Sequence, residues 1–257
     1  MDEIQFEFVE TPLGPYLINE HDLIGNFIKQ QLFWEPHLIN YYSNIIESTD
    51  VVIDAGANLG YHTVQFAKLA KTVYAFEPQK MIFNQMCTNL LFNGVSDNVY
   101  TYRYGLGEKF ETKQLCSAEE HDFKNGIINF GGRGIKDEPI DNNRWFDIIE
   151  IIPLDSLQID VCNLIKMDIQ GYEFYALTGA MKLITKNYPV MLMENSGQEL
   201  DKKAIKILSD LGYECYRYMI GTAEDCILIH KNNEKKYNTS IGLITKLSEM
   251  YKIQRDF

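Results

Sequence analysis

The sequence predicts a doubly wound α/β fold, a mostly parallel sheet with helices on both faces, on three observations. Largely apolar runs of strand length recur at Val51-Val52-Ile53, Val73-Tyr74-Ala75-Phe76, Leu164-Ile165-Lys166-Met167 and Val190-Met191-Leu192-Met193, as strands buried on both faces require. Segments with helical spacing alternate with them. The first strand-to-helix turn carries two glycines four apart, Gly56 and Gly60.

Along the chain, residues 4–19 read as a hairpin, with Phe6, Phe8, Tyr16 and Ile18 spaced by two around Thr11-Pro12-Leu13-Gly14-Pro15. Ile24, Phe27, Ile28, Gln31 and Leu32 then follow a helical period, and a second helix starts after Pro36 and covers residues 38–46. Residues 1–48 are thus an accessory part of the same domain, placed to close over a ligand. Residues 51–53 form the first core strand; Asp54 ends it, and a helix with Val64, Ala67 and Lys68 on its period follows Gly60. The returning strand, residues 73–76, stops on Glu77-Pro78. Residues 79–92 are helical through Ile82, Phe83, Met86 and Leu90 until Asn93-Gly94, and residues 99–104 make the third strand. The stretch 105–146 is rich in turn signals, with one strand at 112–116; long loops of this kind are binding loops or lids, so the substrate side is expected here. Residues 148–152 are strand-like, and Pro153-Leu154-Asp155-Ser156-Leu157 is a short helical turn. The fourth core strand, 164–167, ends at Asp168. A helix runs from Gly171 to about Lys186 with Phe174, Leu177 and Met181 inside, and the fifth strand, 190–193, ends at Glu194-Asn195. A helix at 199–210 precedes an antiparallel pair, 213–219 and 226–230, joined through Gly221-Thr222. The core thus spans 49–235, and 236–257 form a terminal helix. Its stripe of Ile241, Ile244, Leu247 and Met250 or Tyr251 packs on its own domain or makes a homo-oligomer contact.

Length and composition exclude several classes. A chain of 257 residues, 46% hydrophobic and 23% charged, fits one soluble globular domain. A net charge of -12 with no basic stripe repels a phosphate backbone, so no nucleic acid is expected, and neutral or cationic substrates are easier to admit. The cysteines, Cys87, Cys116, Cys162, Cys215 and Cys226, are odd in number and lack C-x-x-C pairing, against a disulfide framework or zinc site. No run reaches the ~18 apolar residues of a membrane span. Met1-Asp2-Glu3 is acidic where a signal peptide is basic, so a cytoplasmic protein is expected.

The glycine turn points to a cofactor. Glycines let the backbone approach a ligand closely, and the new helix offers unpaired N–H groups there. An acid about 20 residues on, at the end of the second strand, accepts hydrogen bonds from ribose hydroxyls, and Glu77 occupies that place. The order is Asp54-x-Gly56-x-x-x-Gly60 instead of G-x-G-x-x-G, and Asp54 would repel a pyrophosphate. A cationic ligand is favoured: S-adenosylmethionine carries a sulfonium and an amino group, on which Asp54 acts partly through water. The structural alternative is that Asp54 caps the helix and Glu77 starts the next one before Pro78.

The chain resembles the FkbM family of S-adenosylmethionine-dependent methyltransferases. The resemblance rests on Val52-Ile53-Asp54-Ala55-Gly56-Ala57-Asn58-Leu59-Gly60, Ala75-Phe76-Glu77-Pro78, Asn129-Phe130-Gly131-Gly132, Leu154-Asp155-Ser156-Leu157, Ile165-Lys166-Met167-Asp168-Ile169-Gln170-Gly171-Tyr172-Glu173 and Met193-Glu194, and covers roughly residues 34–195. It implies a class I methyltransferase, Rossmann-like fold and O-methylation of a hydroxyl, here on a sugar or glycan or another hydroxylated small molecule. It also implies cofactor contacts at Glu35, Asp54, Gly56, Asn58, Gly60, Tyr61, Glu77, Pro78 and Asp168, and acceptor contacts at Asn129, Gly131, Gly132, Glu173 and Asn195. Where similar sequences often carry Asp-Val-Glu-Gly-x-Glu, this chain has Gln170, so no acid stands in the middle.

Methyl transfer is an in-line displacement that needs an aligned acceptor and a base. In a doubly wound sheet Asp54, Glu77, Asp168 and Glu194, all at carboxyl ends of strands, meet in one crevice. Asp168 is the expected base or orienting group, with Glu194 as its catalytic partner and helix capping as the alternative. Glu173 suits the helix dipole, and Glu194 with Asn195 completes the acceptor site. These oxygens can in principle hold Mg²⁺ or Mn²⁺, but no metal is predicted. His62 reads as a helix-surface residue, the alternative being that it reaches the cofactor; His121 reads as part of a solvated charge cluster, or as a base if the long loop folds inward; and Asn98 with Ser96-Asp97 read as neighbours of the adenine. Trp34-Glu35 resembles a family feature that closes on the methionine end, the alternative being a buried aromatic beside a surface acid. Two other functions stand against this reading. A nicotinamide oxidoreductase is disfavoured by Asp54, and a catalytically silent cofactor-binding protein by the second acidic cluster.

Overall fold

Parallel pairing of buried strands builds the frame of the computed structural model, which describes residues 5–115, 127–136, 148–195, 197–220, 223–248 and 252–255. The chain opens with a hairpin, β1 (Phe6–Thr11) and β2 (Gly14–Asn19), in which Thr11 faces Gly14 across a two-residue turn. Helices α1 (Leu23–Gln31) and α2 (Pro36–Ile45) follow. Then come β3 (Val51–Ala55), α3 (Tyr61–Leu69), β4 (Thr72–Phe76), α4 (Lys80–Phe92) and β5 (Val99–Tyr102), the predicted β-α-β-α-β run.

The segment 105–146, expected as a long loop with one strand at 112–116, supplies β6 (Gly105–Leu106), β7 (Glu111–Leu115), near the expected strand, and β8 (Ile135–Lys136); with the expected strand at 148–152, β9 (Ile148–Ile152), they form a second sheet in the order β6-β9-β7-β8. Strands β6 and β8 have two residues each, too short to show a period-2 pattern, and pairing with β9 and β7 holds them. His121 lies outside the described residues.

Strand β10 (Leu164–Met167) leads to α5 (Glu173–Thr178) and α6 (Met181–Asn187), two helices where the sequence predicts one. The break falls at Gly179, where a Cβ would stand 1.9 Å from the carbonyl oxygen of Gly107. Close packing against another backbone, absent from the local sequence, divides the helix. Then follow β11 (Val190–Glu194), α7 (Glu199–Asp210), β12 (Glu214–Ile220), β13 (Ala223–Ile229), α8 (Glu234–Leu247) and β14 (Lys252–Arg255). The terminal helix therefore stops at Leu247, and the chain returns as an edge strand on β12. Met250 and Tyr251 of the expected stripe lie outside the described residues.

The main sheet has eight strands in the order β14-β12-β13-β11-β10-β3-β4-β5, parallel from β11 to β5 and antiparallel at β13, β12 and β14. Helix α8 packs on its own domain: Ile244 and Leu247 are buried with Leu38, Tyr41 and Ile45 of α2. The buried ammonium of Lys236 bonds Asp50 and the Ile45 carbonyl, and Tyr41 donates to Ser240 Oγ at 2.8 Å. Among the described residues no helix is long and apolar enough to cross a membrane.

Candidate active site

Five parallel strands end on the same side, and there a cavity of about 490 Å³ opens. The glycine turn makes one wall. Gly56 has φ +80°, and a Cβ on it would lie 1.8 Å from the Asp168 carbonyl oxygen, so only glycine lets β3 and β10 deliver their ends side by side. The amides of Gly56 and Ala57 donate to the Phe76 carbonyl at 3.0 and 2.9 Å, which ties the turn to β4. Asn58 takes a left-handed φ of 50° and aims its amide at Glu77 Oε2, 3.1 Å away. The Gln79 amide donates to Oε1 at 2.8 Å. Glu77 is thus fixed through both oxygens at the cavity wall, and burial pushes its carboxyl up to about 7 despite these bonds.

Asp54 stands behind this wall. It is fully buried; Oδ2 accepts from Thr63 Oγ1 at 2.7 Å, and Oδ1 has no hydrogen-bond partner. It does not cap α3, whose N-cap is Gly60. Gly60 also lies off the wall, where its φ of +86° sets the helix start against Met86. Tyr61 lines the cavity, and Pro78 lines a smaller one of about 60 Å³ that adjoins it and shares Gly56, Glu77, Gly131, Asp168 and Gln170.

Beside the glycine turn, at the ends of β10 and β11, stands a network of side chains from several elements. Lys166, buried in the central strand β10, reaches Asp168 Oδ2 at 3.5 Å. Burial opposes its charge, but the carboxylates of Asp168, Asp54, Glu35 and Asp225 outweigh that and hold its ammonium well above the ordinary lysine range. The Gln170 amide donates to Asp168 Oδ1 at 2.9 Å and to Glu194 Oε2 at 2.8 Å, bridging β10 and β11. Burial, then Asp168, push the Glu194 carboxyl up to about 9. From α2, His37 Nε2 meets Asp225 Oδ2 at 2.6 Å, and burial is the largest cause raising that carboxyl. Glu35, with φ 45°, meets His62 Nε2 at 2.9 Å; burial is outweighed there by His62, and its carboxyl is held low.

The roof comes from the accessory segment together with the Asn129 turn. Leu23, Ile24, Phe27 and Trp34 line the cavity with Asn129, Gly131 and Gly132. Asp22 joins the two parts: it accepts from the Gly25 amide at 2.9 Å and the Phe130 amide at 3.3 Å, and burial raises its carboxyl to about 6.

Of the residues singled out in the sequence, the folded chain brings Glu35, Gly56, Asn58, Tyr61, Glu77, Asn129, Gly131, Gly132, Asp168 and Glu194 to this cavity. It does not bring Glu173 or Asn195 there. Glu173 is buried with Oε1 on the Ile169 amide at 2.9 Å, its carboxyl raised to about 7 by burial, and Asn195 accepts from the Gly197 amide at 3.1 Å. Asn98 is also elsewhere, bonding the Ala67 and Ala70 carbonyls at the end of α3. His62 is a correction to the surface reading and agrees with the alternative: it is buried at the cavity, because α2 lies over the first turn of α3. Lys166, His37, Gln170 and Asp225 were missed as site residues. The signal for Lys166 was a charge inside an apolar core strand. Among the described residues no group of three or more His, Cys, Asp or Glu side chains is arranged to hold a metal ion.

The methyltransferase FkbM domain model matches residues 54–215. Among solved structures, the methyltransferase FkbM from Methylobacillus flagellatus KT superposes with a TM-score of 0.54 at 18% identity, over 80% of this chain and 52% of that one, so the chain spans about half its length. SMU.1697c from Streptococcus mutans in complex with SAH gives 0.46 at 13% identity over 76% and 96% of the two chains. M. jannaschii TYW2 in complex with AdoMet gives 0.44 at 12% over 89% and 87%. No curated protein matches the sequence.

Proposed function

The chain belongs to the FkbM methyltransferase family, and from that premise we propose that it is an S-adenosylmethionine-dependent O-methyltransferase acting on a hydroxyl of a sugar or glycan. The observation that carries the reading is one cavity with two unlike parts: a glycine cradle with a doubly anchored buried carboxyl, and a Lys166-Asp168-Glu194 cluster on the neighbouring strand ends. The residues fit the cofactor. The cradle at Gly56 leaves no room for a side chain, and Glu77 keeps lone pairs for the ribose hydroxyls. Behind the wall Asp54 adds a buried acid with an unpartnered oxygen that favours a cation. Glu35 adds carboxylate character at the cavity itself.

When bound, S-adenosylmethionine supplies an electrophilic methyl group on sulfur. The chain then has to orient the acceptor oxygen and remove its proton. Asp168 is the base: it faces the cavity, and the Lys166 ammonium, 3.5 Å from Oδ2, fixes its orientation. Glu194, whose carboxyl burial and the neighbouring Asp168 push upward, donates in its protonated form a hydrogen bond that orients the acceptor oxygen. Gln170 holds the two in register through its single amide nitrogen. Asn129, Gly131 and Gly132 bound the acceptor from above.

Incubation with methyl-labelled S-adenosylmethionine and a panel of free and methyl glycosides tests the proposal. Label in a glycoside ether, lost in Asp168→Asn, supports it; label transferred only to amines or thiols overturns the O-methyl assignment.

A further inference from the structure

The accessory helix α1 leaves an unusual face at the mouth of the cavity. Leu23 and Phe27 are 43% and 44% exposed, yet both line the cavity. Leu32 and Phe33, which follow at the end of the same helix, are 39% and 38% exposed, and Trp34, which also lines the cavity, meets the Phe27 ring edge to face at 5.3 Å. Scattered exposed apolar side chains are ordinary in a soluble protein; four within one helix and its end, two of them lining a ligand cavity, are not. The positions are also held in place. Asp22 caps α1 and bonds the Phe130 amide, and Leu32 and Glu35 take left-handed φ values of 62° and 45° that turn the chain sharply on either side of Phe33-Trp34.

The two ends of the acceptor path therefore differ in kind. Inside stand Asp168, Glu194 and Gln170, which suit a hydroxyl; outside stand leucine and aromatic side chains, which suit hydrocarbon. We propose that the acceptor is amphipathic, a glycoside whose sugar reaches the carboxyl cluster while an attached acyl, isoprenoid or other apolar group lies on Leu23, Phe27, Leu32 and Phe33. The inference rests on the methyltransferase reading and names its substrate class.

Other occupants fit less well. An anionic membrane surface needs basic residues around the apolar ones. The one lysine of α1, Lys29, is engaged by Glu7 and Glu20, and the net charge is -12. A second copy of the chain seated here would cover the mouth that Leu23 and Phe27 share with the cavity. An apolar group belonging to the acceptor leaves the mouth in use and removes the exposed surface from water at once.

The test uses alkyl glucosides of increasing chain length, from methyl to octyl, below their micellar concentrations, titrated calorimetrically into the protein saturated with S-adenosylhomocysteine. Affinity should rise about fourfold for each methylene buried, and the Leu23→Ser/Phe27→Ser double variant should lose most of that dependence while keeping its circular dichroism spectrum. Affinity independent of chain length overturns the proposal, as does a dependence that survives in both the double variant and a Leu32→Ser/Phe33→Ser variant. Binding to neutral or anionic vesicles with no binding of monomeric octyl glucoside assigns the face to a membrane instead and also overturns it. Absence of S-adenosylhomocysteine binding in the same calorimeter is a separate result, and it removes the methyltransferase reading itself.

Discussion

The two ends of the cavity are built on different principles. At the β3–β4 end a ligand would meet backbone: Gly56, Ala57 and Asn58 are consecutive, and Glu77 is fixed by the amides of Asn58 and Gln79. At the β10–β11 end it would meet side chains that converge from α2, β10, β11 and β13: His37, Lys166, Asp168, Glu194 and Asp225. The first arrangement is a motif and tolerates little change of residue type. The second is a balance of charges, and its parts change meaning when one is removed.

The largest effect is expected at that balance. Lys166→Met keeps the length of the side chain but leaves Asp168, Asp54, Glu35 and Asp225 without their shared cation. Loss of about 3–5 kcal/mol in urea unfolding at pH 7 is expected, as for one partner removed from a buried pair. A loss below about 1 kcal/mol, the range of an exposed ion pair, would show the cluster to be solvated.

At the other end, Gly56→Ala sets a methyl against the Asp168 carbonyl at a positive φ and should cost about 3 kcal/mol, read from the same unfolding curves. If the variant is as stable as wild type, the cradle is wider than described.

Acidity separates the ends by degree. Asp22, Glu77, Glu173 and Glu194 hold protons in the folded chain at pH values where the unfolded chain has lost them, from ordinary values of 3.8 or 4.5 up to about 6, 7, 7 and 9. Protons therefore favour folding through these groups, and their contribution to stability falls as pH rises from about 4 to 9. Thermal unfolding should show the decline, and Glu194→Gln should remove roughly 2 kcal/mol of it between pH 7 and 9. A wild-type curve that rises across the window contradicts the burial assigned to these carboxyls.

The smallest effect is at Gln170. Gln170→Glu replaces the bridging amide by an acid between Asp168 and Glu194, and should destabilise by ~1 kcal/mol at pH 8 and less at pH 5, where the added carboxyl shares protons with its neighbours. Equal effects at both pH values would mean that the amide only fills space.

The difference between the ends also explains what the sequence discloses. The strand, the glycines and Glu77 lie within one β-α-β unit, where local spacing dictates geometry, so that end was legible and so was the succession of core strands and helices along the chain. The carboxyl cluster was half legible: Asp168 and Glu194 end strands, whereas His37 and Asp225 are 188 residues apart and meet only when α2 lies across β13. Nothing in the neighbourhood of His62 marks it as buried, because what covers it is α2. The second sheet was hidden for the same reason. Two-residue strands have no period of their own, and β14 acquires its character only from its partner β12.

The most direct measurement is calorimetric titration of the wild-type chain and of Glu77→Gln with S-adenosylmethionine, S-adenosylhomocysteine and NAD in parallel. The account predicts binding of the first two to the wild type, weakened about tenfold or more when Glu77 can no longer accept through both oxygens, and none of NAD. Binding of NAD without the sulfonium ligand, or affinity indifferent to Glu77, would contradict it.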